Sequence, residues 1–169
     1  MRKPITITAA LCAATLGVTG LLAPGAEASK ASVTASFSTG GNATAGWLPH
    51  HSGFTATLPD VSSYAVITLH HISSTALAAA PTLVTDNYAA GSPRWYIQFS
   101  DGDYLFGYPG GSWDTEGPNV GFHYGVDWAS AVGYMGDESV TGAYVVMDAS
   151  QPVPATDNIT SLTYDGFSV

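Results

Sequence analysis

Residues Ser92–Pro109 read SPRWYIQFSDGDYLFGYP and carry the strongest structural signal in the chain. Residues 94–99 combine aromatic and β-branched side chains, the residue types that strands favour. Asp101-Gly102 follows, and a glycine there allows the positive φ that a tight turn needs. Residues 104–108 are again mostly aromatic and apolar. The pattern predicts an antiparallel β-hairpin at the centre of a β fold.

The register of this hairpin decides which side chains enter the core. Side chains alternate along a strand, so a two-residue turn at Asp101-Gly102 places one set of residues on the core face. That set is Trp95, Ile97, Phe99, Tyr104, Phe106 and Tyr108. The opposite face then carries Arg94, Tyr96, Gln98, Leu105 and Gly107. Because this second set is mixed in polarity, we expect its face to be partly exposed to solvent.

The rest of the chain continues the same pattern. Turn residues separate about eight short strand-like stretches, as in sandwiches and barrels. Two short helices are predicted, over Ser73–Ala80 and over Asp127–Met135 with Asp127 as the N-cap. Residues 110–121, GGSWDTEGPNVG, are predicted to form a loop. We therefore expect an all-β fold, either a single antiparallel β-sandwich (jelly-roll-like) or a barrel, with one or two short helices.

The N-terminus has the pattern of a secretory signal peptide. A basic start precedes the mostly apolar residues 5–22, and Ala26-Glu27-Ala28 is a small-x-small cleavage site. We expect cleavage after Ala28, so that residues 1–28 are the signal peptide and residues 29–169 form a single β-sandwich domain. The mature protein is then secreted, with no membrane attachment.

The charge and the cysteine content argue against some classes of partner and against a disulfide in the fold. The 169-residue chain has a formal net charge of −9, and Lys30 and Arg94 are its only basic residues beyond the predicted signal peptide. This balance argues against nucleic acid and anionic membranes as partners, because both are negatively charged and are bound mainly through Lys and Arg. The single cysteine, Cys12, lies within the predicted signal peptide, so no disulfide is expected.

The acidic residues come in close pairs, which have several interpretations. The pairs are Asp101 with Asp103, Asp114 with Glu116, and Asp137 with Glu138. Glycoside hydrolysis needs two carboxylates about 5–10 Å apart, and the oxygen-rich loops could hold calcium. Turn formation and solubility explain the pairs better, because aspartate before glycine favours turns. No nucleophile motif or metal-ligand spacing is present, so we predict no catalytic residue, no metal site and no cofactor, with calcium as the alternative.

The candidate ligand-binding residues are aromatic and charged. Trp113 lies in the most polar predicted loop, flanked by Asp114 and Glu116, while Tyr96 and Arg94 lie on the hairpin face turned from the core. Aromatic rings pack on the apolar faces of sugars, and carboxylates accept hydrogen bonds from hydroxyls. These five residues are therefore predicted to bind a glycan or cell-wall ligand. The alternative is that Trp113 folds back over the edge of the core.

Three segments carry a resemblance to known proteins. They are residues 91–109 (GSPRWYIQFSDGDYLFGYP), residues 140–148 (VTGAYVVMD) and residues 159–166 (ITSLTYDG). On these segments the chain resembles the small secreted β-sandwich modules of high-GC Gram-positive bacteria. The resemblance implies an extracellular module, lectin-like or carbohydrate-binding, and it brings no catalytic residues. We therefore expect a secreted non-catalytic binding module for a carbohydrate or cell-surface ligand, with a small extracellular hydrolase or a structural surface protein as alternatives.

Overall fold

The computed structural model describes residues 32–88, 92–148 and 153–169. Over these residues the protein consists of two antiparallel sheets with one short α-helix and one 3-10 turn. This all-β, sandwich-like architecture confirms the predicted fold class. The predicted signal peptide, residues 1–28, and its cleavage site lie outside the described residues. None of the helices within the described ranges is long and apolar enough to cross a membrane.

Twelve strands and one helix make up the described chain. The strands are β1 (Thr34–Gly40), β2 (Thr44–Trp47), β3 (Phe54–Leu58), β4 (Tyr64–His70), β5 (Thr82–Thr85), β6 (Arg94–Phe99), β7 (Tyr104–Gly107), β8 (Trp113–Glu116), β9 (His123–Val126), β10 (Val140–Met147), β11 (Ala155–Tyr164) and β12 (Phe167–Ser168). The helix is α1 (Trp128–Met135), and the 3-10 turn is Pro49–His51. The larger sheet has the order β1-β4-β10-β6-β7-β8-β9; the smaller has the order β12-β11-β3-β2, with β5 also paired to β11.

The two sheets share one apolar core. The ring of Phe37 on β1 lies 5.4 Å from that of Phe54 on β3, measured between centroids. Likewise Trp95 on β6 lies 5.6 Å from Tyr164 on β11. Three of these four side chains, all but Phe37, are fully buried or nearly so. One face of each sheet therefore packs in the core. The other face of the larger sheet points away from the core.

The central hairpin is present, but its predicted register is wrong by one residue. The observed pairs are Trp95 with Gly107, Tyr96 with Phe106, Ile97 with Leu105, and Gln98 with Tyr104. The turn holds three residues, Ser100 to Gly102, and the backbone N–H of Phe99 donates to the carbonyl of Asp103 at 3.0 Å. Gly102 has a φ of 91°, as expected for the last residue of a three-residue hairpin loop.

Side-chain hydrogen bonds explain why the turn is one residue longer than predicted. The Asp101 carboxylate accepts the backbone N–H of Asp103 at 3.0 Å, which is an Asx turn. It also accepts the side-chain amide of Asn119 at 3.0 Å, and the buried Asp103 carboxylate accepts the Asn119 backbone N–H at 3.0 Å. These contacts from a distant loop fix the wider turn, and they cannot be read from the hairpin sequence alone.

The one-residue difference turns every side chain of β7 to the opposite face. Three predicted core residues on β6 are buried, as expected: Trp95, Ile97 and Phe99. On β7, however, the fully buried residue is Leu105. Tyr104 and Phe106, predicted to be in the core, are only half-buried and lie on the other side of the sheet. The face turned from the core is consequently more aromatic than the sequence predicted.

Three further local predictions have different outcomes. The helix predicted over Asp127–Met135 is confirmed as α1, and the Asp127 carboxylate caps it by accepting the Ser130 backbone N–H at 2.8 Å. The helix predicted over Ser73–Ala80 is wrong, since those residues form turns. So short an alanine-rich segment is marginal as a helix without packing on one side. The loop predicted over residues 110–121 contains strand β8.

Candidate functional site

The surface of interest is the side of the seven-stranded sheet turned away from the core, here called the outer face. Strand register aligns one row of its side chains across β10, β6, β7 and β8: Tyr144, Tyr96, Phe106 and Asp114. A neighbouring row on β6, β7 and β8 consists of Gln98, Tyr104 and Glu116. Alternation along each strand brings these residues to one side. The outer face therefore combines rings, an amide and two carboxylates.

Tyr96 is the centre of an aromatic cluster on the outer face. Its ring centroid lies 4.9 Å from that of Tyr104, 5.2 Å from that of Phe106 and 5.9 Å from that of Tyr144. Tyr144 reaches back over Gly142, where a Cβ atom would come within 2.5 Å of the tyrosine hydroxyl. Only a glycine at that position leaves room for the ring. All four rings are half-buried, so each keeps part of its surface in contact with solvent.

The outer face ends at the edge strand β9 with two much more exposed rings. Phe122 is 60% exposed and Tyr124 is 74% exposed. The two rings are nearly parallel, 12° apart with centroids separated by 6.2 Å. Between them in sequence, His123 stacks on Tyr134 of α1 at 3.8 Å, on the side where the helix packs. Phe122 and Tyr124 therefore lie on the opposite side of β9, next to the carboxylates of β8.

The charged groups of the outer face differ in how they are held. Arg94 forms a two-point ion pair with Asp148, with N–O distances of 2.6 and 3.2 Å. The Asp114 carboxylate accepts the Tyr108 hydroxyl at 2.9 Å and the Gly125 backbone N–H at 2.8 Å. These contacts neutralise the arginine locally and fix the orientation of Asp114.

Glu116 is different from the other charged groups. Its side chain is exposed, and within the described part of the chain the carboxylate makes no hydrogen bond or ion pair. It lies opposite Tyr104 in the β7–β8 pairing. Glu116 is therefore a carboxylate beside aromatic rings that is available to a ligand.

Two tyrosine hydroxyls of the outer face, those of Tyr96 and Tyr108, remain protonated at neutral and moderately alkaline pH. Burial, assisted by the neighbouring Tyr104 hydroxyl, raises the pKa of Tyr96 far above its ordinary value. Burial and the hydrogen bond to Asp114 likewise raise the pKa of Tyr108. Both phenols thus present neutral rings and hydroxyl groups.

Four of the five predicted ligand-binding residues lie on the outer face: Arg94, Tyr96, Asp114 and Glu116. The fifth does not. Trp113 is 1% exposed, so the predicted exposed shelf built on it is wrong and the alternative placement in the core is correct. Its position on β8 turns the indole inward, 4.6 Å from the ring of Trp128. Gly107 provides the space, since a Cβ there would lie 2.4 Å from the indole.

Sequence reasoning missed most of the aromatic residues of this surface: Tyr104, Phe106, Tyr108, Phe122, Tyr124 and Tyr144. The first three were assigned to the core through the register error, and the others lie on strands whose neighbours could not be predicted. One signal was available. Ser100-Asp101-Gly102 matches a three-residue loop that ends in glycine, which would have placed Tyr104 and Phe106 beside Tyr96.

The carboxylates of the pair Asp101 and Asp103 have a structural role in the hairpin turn. Asp101 and Asp103 use their oxygens to accept N–H groups that close the hairpin turn, as described above. No group of three or more His, Cys, Asp or Glu side chains among the described residues is arranged to hold a metal ion.

Comparisons with protein-family models, with curated proteins and with solved structures found no match to this chain. The functional interpretation therefore depends on the chemistry of the outer face.

Proposed function

We propose that the protein is a secreted, non-catalytic carbohydrate-binding module, and that a polysaccharide binds along the outer face. One observation carries the proposal: seven aromatic side chains share a sheet face that is not part of the core. They are Tyr96, Tyr104, Phe106, Tyr108, Phe122, Tyr124 and Tyr144. The solvent face of an antiparallel sheet is ordinarily polar. An aromatic face that packs on no part of the core suits a ligand with apolar surfaces.

The chemistry of the surface suits sugars in particular. The C–H face of a pyranose packs on an aromatic ring, while hydroxyl groups need nearby acceptors and donors. Asp114, Glu116 and Gln98 supply such groups within the aromatic surface. From β10 to β9 there are four strand spacings, which is about 19 Å. A polymer crossing the strands could thus contact several rings at once.

Binding without catalysis is favoured by the state of the carboxylates. A glycosidase needs a proton-donating carboxyl group enclosed in a cleft. Asp114 accepts two hydrogen bonds on an open sheet face, an arrangement that holds it as an acceptor. Secretion is supported by the signal-peptide pattern of residues 1–28.

The expected affinity for one chain is low. Each ring contact contributes on the order of 1 kcal/mol, so three or four contacts correspond to a dissociation constant of about 1–6 mM. Retention on insoluble polysaccharide is therefore a better assay than binding of a monosaccharide.

The test is a pull-down of the purified protein on cellulose, chitin, xylan and bacterial cell walls. The double variant Phe122→Ala/Tyr124→Ala removes two rings that are mostly exposed, so it should lose retention and keep the wild-type melting temperature. The control is Val84→Ala, which truncates a 52% exposed apolar side chain on β5 of the smaller sheet, away from the outer face. The control should bind like the wild type.

Two results would contradict the proposal. Equal retention of the wild type and the double variant would remove the β9 edge from the site. Absence of wild-type retention on every polysaccharide, together with a dimer that dissociates in the double variant, would assign the outer face to a second copy of the chain.

A further inference from the structure

The charges around the aromatic cluster carry information about the ligand. Glu116 faces Tyr104 across the β7–β8 pairing, and it has no partner within the described part of the chain. Burial raises the pKa of Tyr96, two strands away, and the negative charge of Glu116 adds to that rise as the last of several causes. An unpaired carboxylate is thus held at the margin of a ring cluster whose members lie 4.9 to 5.9 Å from Tyr96.

Among the residues that the structure describes, no Lys or Arg on this surface is available to offset the charge of Glu116. Arg94 is the only Lys or Arg among the described residues, and it is joined to Asp148 by two contacts. Asp114 adds a second carboxylate on the same strand. The chain as a whole has a net charge of −9. The outer face therefore repels anionic polymers and attracts cationic groups.

Aromatic rings and a carboxylate together are suited to an ammonium group. A cation over the face of a tyrosine or phenylalanine is attracted by the ring quadrupole. A nearby carboxylate adds a charge-assisted hydrogen bond from the ammonium N–H. A hydroxyl group of a neutral sugar can also donate to Glu116, but an ammonium group adds the attraction of opposite charges to that hydrogen bond.

We propose that the polysaccharide bound by the outer face is an amino-sugar polymer with free, protonated amines, and that Glu116 recognises its ammonium groups. This inference rests on the proposed function. It adds a preference for a cationic polymer over the same polymer in neutral form.

The experiment compares glycol chitosan (here called chitosan) with the same preparation after chemical N-acetylation, which removes the charge, keeps the sugar backbone and leaves the polymer soluble. Affinity electrophoresis is run at about pH 5.5, where both a carboxylate and an amine are charged. Salt is set at about 0.02 M and about 0.5 M, so that charge attraction is screened in the second condition. We expect the wild type to bind chitosan at least about tenfold more tightly than the acetylated polymer at low salt.

Two variants separate the roles of charge and rings. Glu116→Gln should lose most of the preference for chitosan and still bind the acetylated polymer. Asp137→Asn removes one exposed negative charge from the turn after α1 and should keep the wild-type preference. The double variant Phe122→Ala/Tyr124→Ala should weaken binding to both polymers.

Each of the other outcomes would contradict one specific part of the proposal. If the wild type binds both polymers equally and the double variant binds neither, the ammonium preference is wrong and the glycan-binding function stands. If chitosan binding disappears at high salt and does not depend on the rings, the attraction is nonspecific and the inference fails. If Glu116→Gln keeps the full preference, Glu116 is not the recognising residue. If neither polymer is bound in this assay and no polysaccharide retains the protein, the proposed function fails as well.

Discussion

Replacing Trp113 with alanine tests directly whether this residue belongs to the core or to a ligand-binding surface. The side chain is 1% exposed and packs against Trp128 and over Gly107. If the account is correct, Trp113→Ala removes a buried indole and leaves a cavity between β8 and α1. Its effect is then on the free energy of unfolding, because ligands do not reach the ring.

The size of the effect follows from buried volume. Loss of a buried tryptophan to alanine costs about 3–5 kcal/mol. For a domain of this size, each 1 kcal/mol lowers the melting temperature by about 4 °C, so we expect a decrease of about 12–20 °C. Trp113→Phe should cost less. The indole N–H of Trp113 is buried without a hydrogen-bond partner among the described residues, and removing it relieves a desolvation penalty of about 1–3 kcal/mol.

The assay is equilibrium unfolding in urea, followed by circular dichroism for the wild type and both variants. The expected order of midpoints is wild type, Trp113→Phe, Trp113→Ala, with similar slopes. A Trp113→Ala midpoint equal to that of the wild type, combined with weakened polysaccharide retention, would refute the core placement. It would restore the surface role that the sequence suggested.

Two further predictions concern the register and the buried phenol. Leu105→Ala should cost about 2–5 kcal/mol of unfolding free energy, and Tyr104→Ala should cost clearly less, because Leu105 is fully buried and Tyr104 is half-exposed; urea midpoints in the reverse order would show that the hairpin register is wrong. Burial raises the pKa of Tyr164 above its ordinary value of 10.0, so the stability gained from keeping this phenol neutral is present below about pH 10 and is lost as the pH rises further. Urea titrations at about pH 8 and pH 11 should therefore show an alkaline decrease that is smaller in Tyr164→Phe. Because the Tyr164 hydroxyl has no partner within the described ranges, this variant should be at least as stable as the wild type at neutral pH.

The fold class could be predicted because local signals agreed with one another. Alternating apolar residues, frequent turn residues and the absence of long apolar helices all indicated strands. The helix at Asp127–Met135 could also be predicted, since its N-cap is encoded within four residues. These features depend on neighbours in sequence.

The hairpin register could not be settled locally, because the turn is fixed by Asn119, which lies 18 residues from Asp101. The predicted register differs from the observed one by a single residue, but this difference changes which side chains of β7 face the core. Shifting the register by one residue places Leu105 in the core instead of Tyr104 and Phe106. Two rings predicted to lie in the core therefore lie on the surface. The composition of the outer face depends on that exchange.

The candidate site could be predicted only in part, because only some of its residues are placed by local alternation along a strand. Arg94 and Tyr96 were assigned to the correct side because β6 keeps its own alternation in either register. Trp113 was assigned to the surface because its neighbours in sequence are polar. Its burial depends on the space over Gly107 and on contact with Trp128, and neither is visible from the adjacent residues.

The most direct test of the central claim, that the outer face binds polysaccharide, is a map of backbone amide chemical shifts during titration with a soluble oligosaccharide. Chitosan and cello-oligosaccharides are suitable probes. We expect the shifts to concentrate on β6 to β10, above all near Tyr96, Tyr104 and Tyr124, and we expect β3 and β11 of the smaller sheet to be unaffected. Shifts centred on the smaller sheet, or none up to saturating oligosaccharide, would contradict the claim.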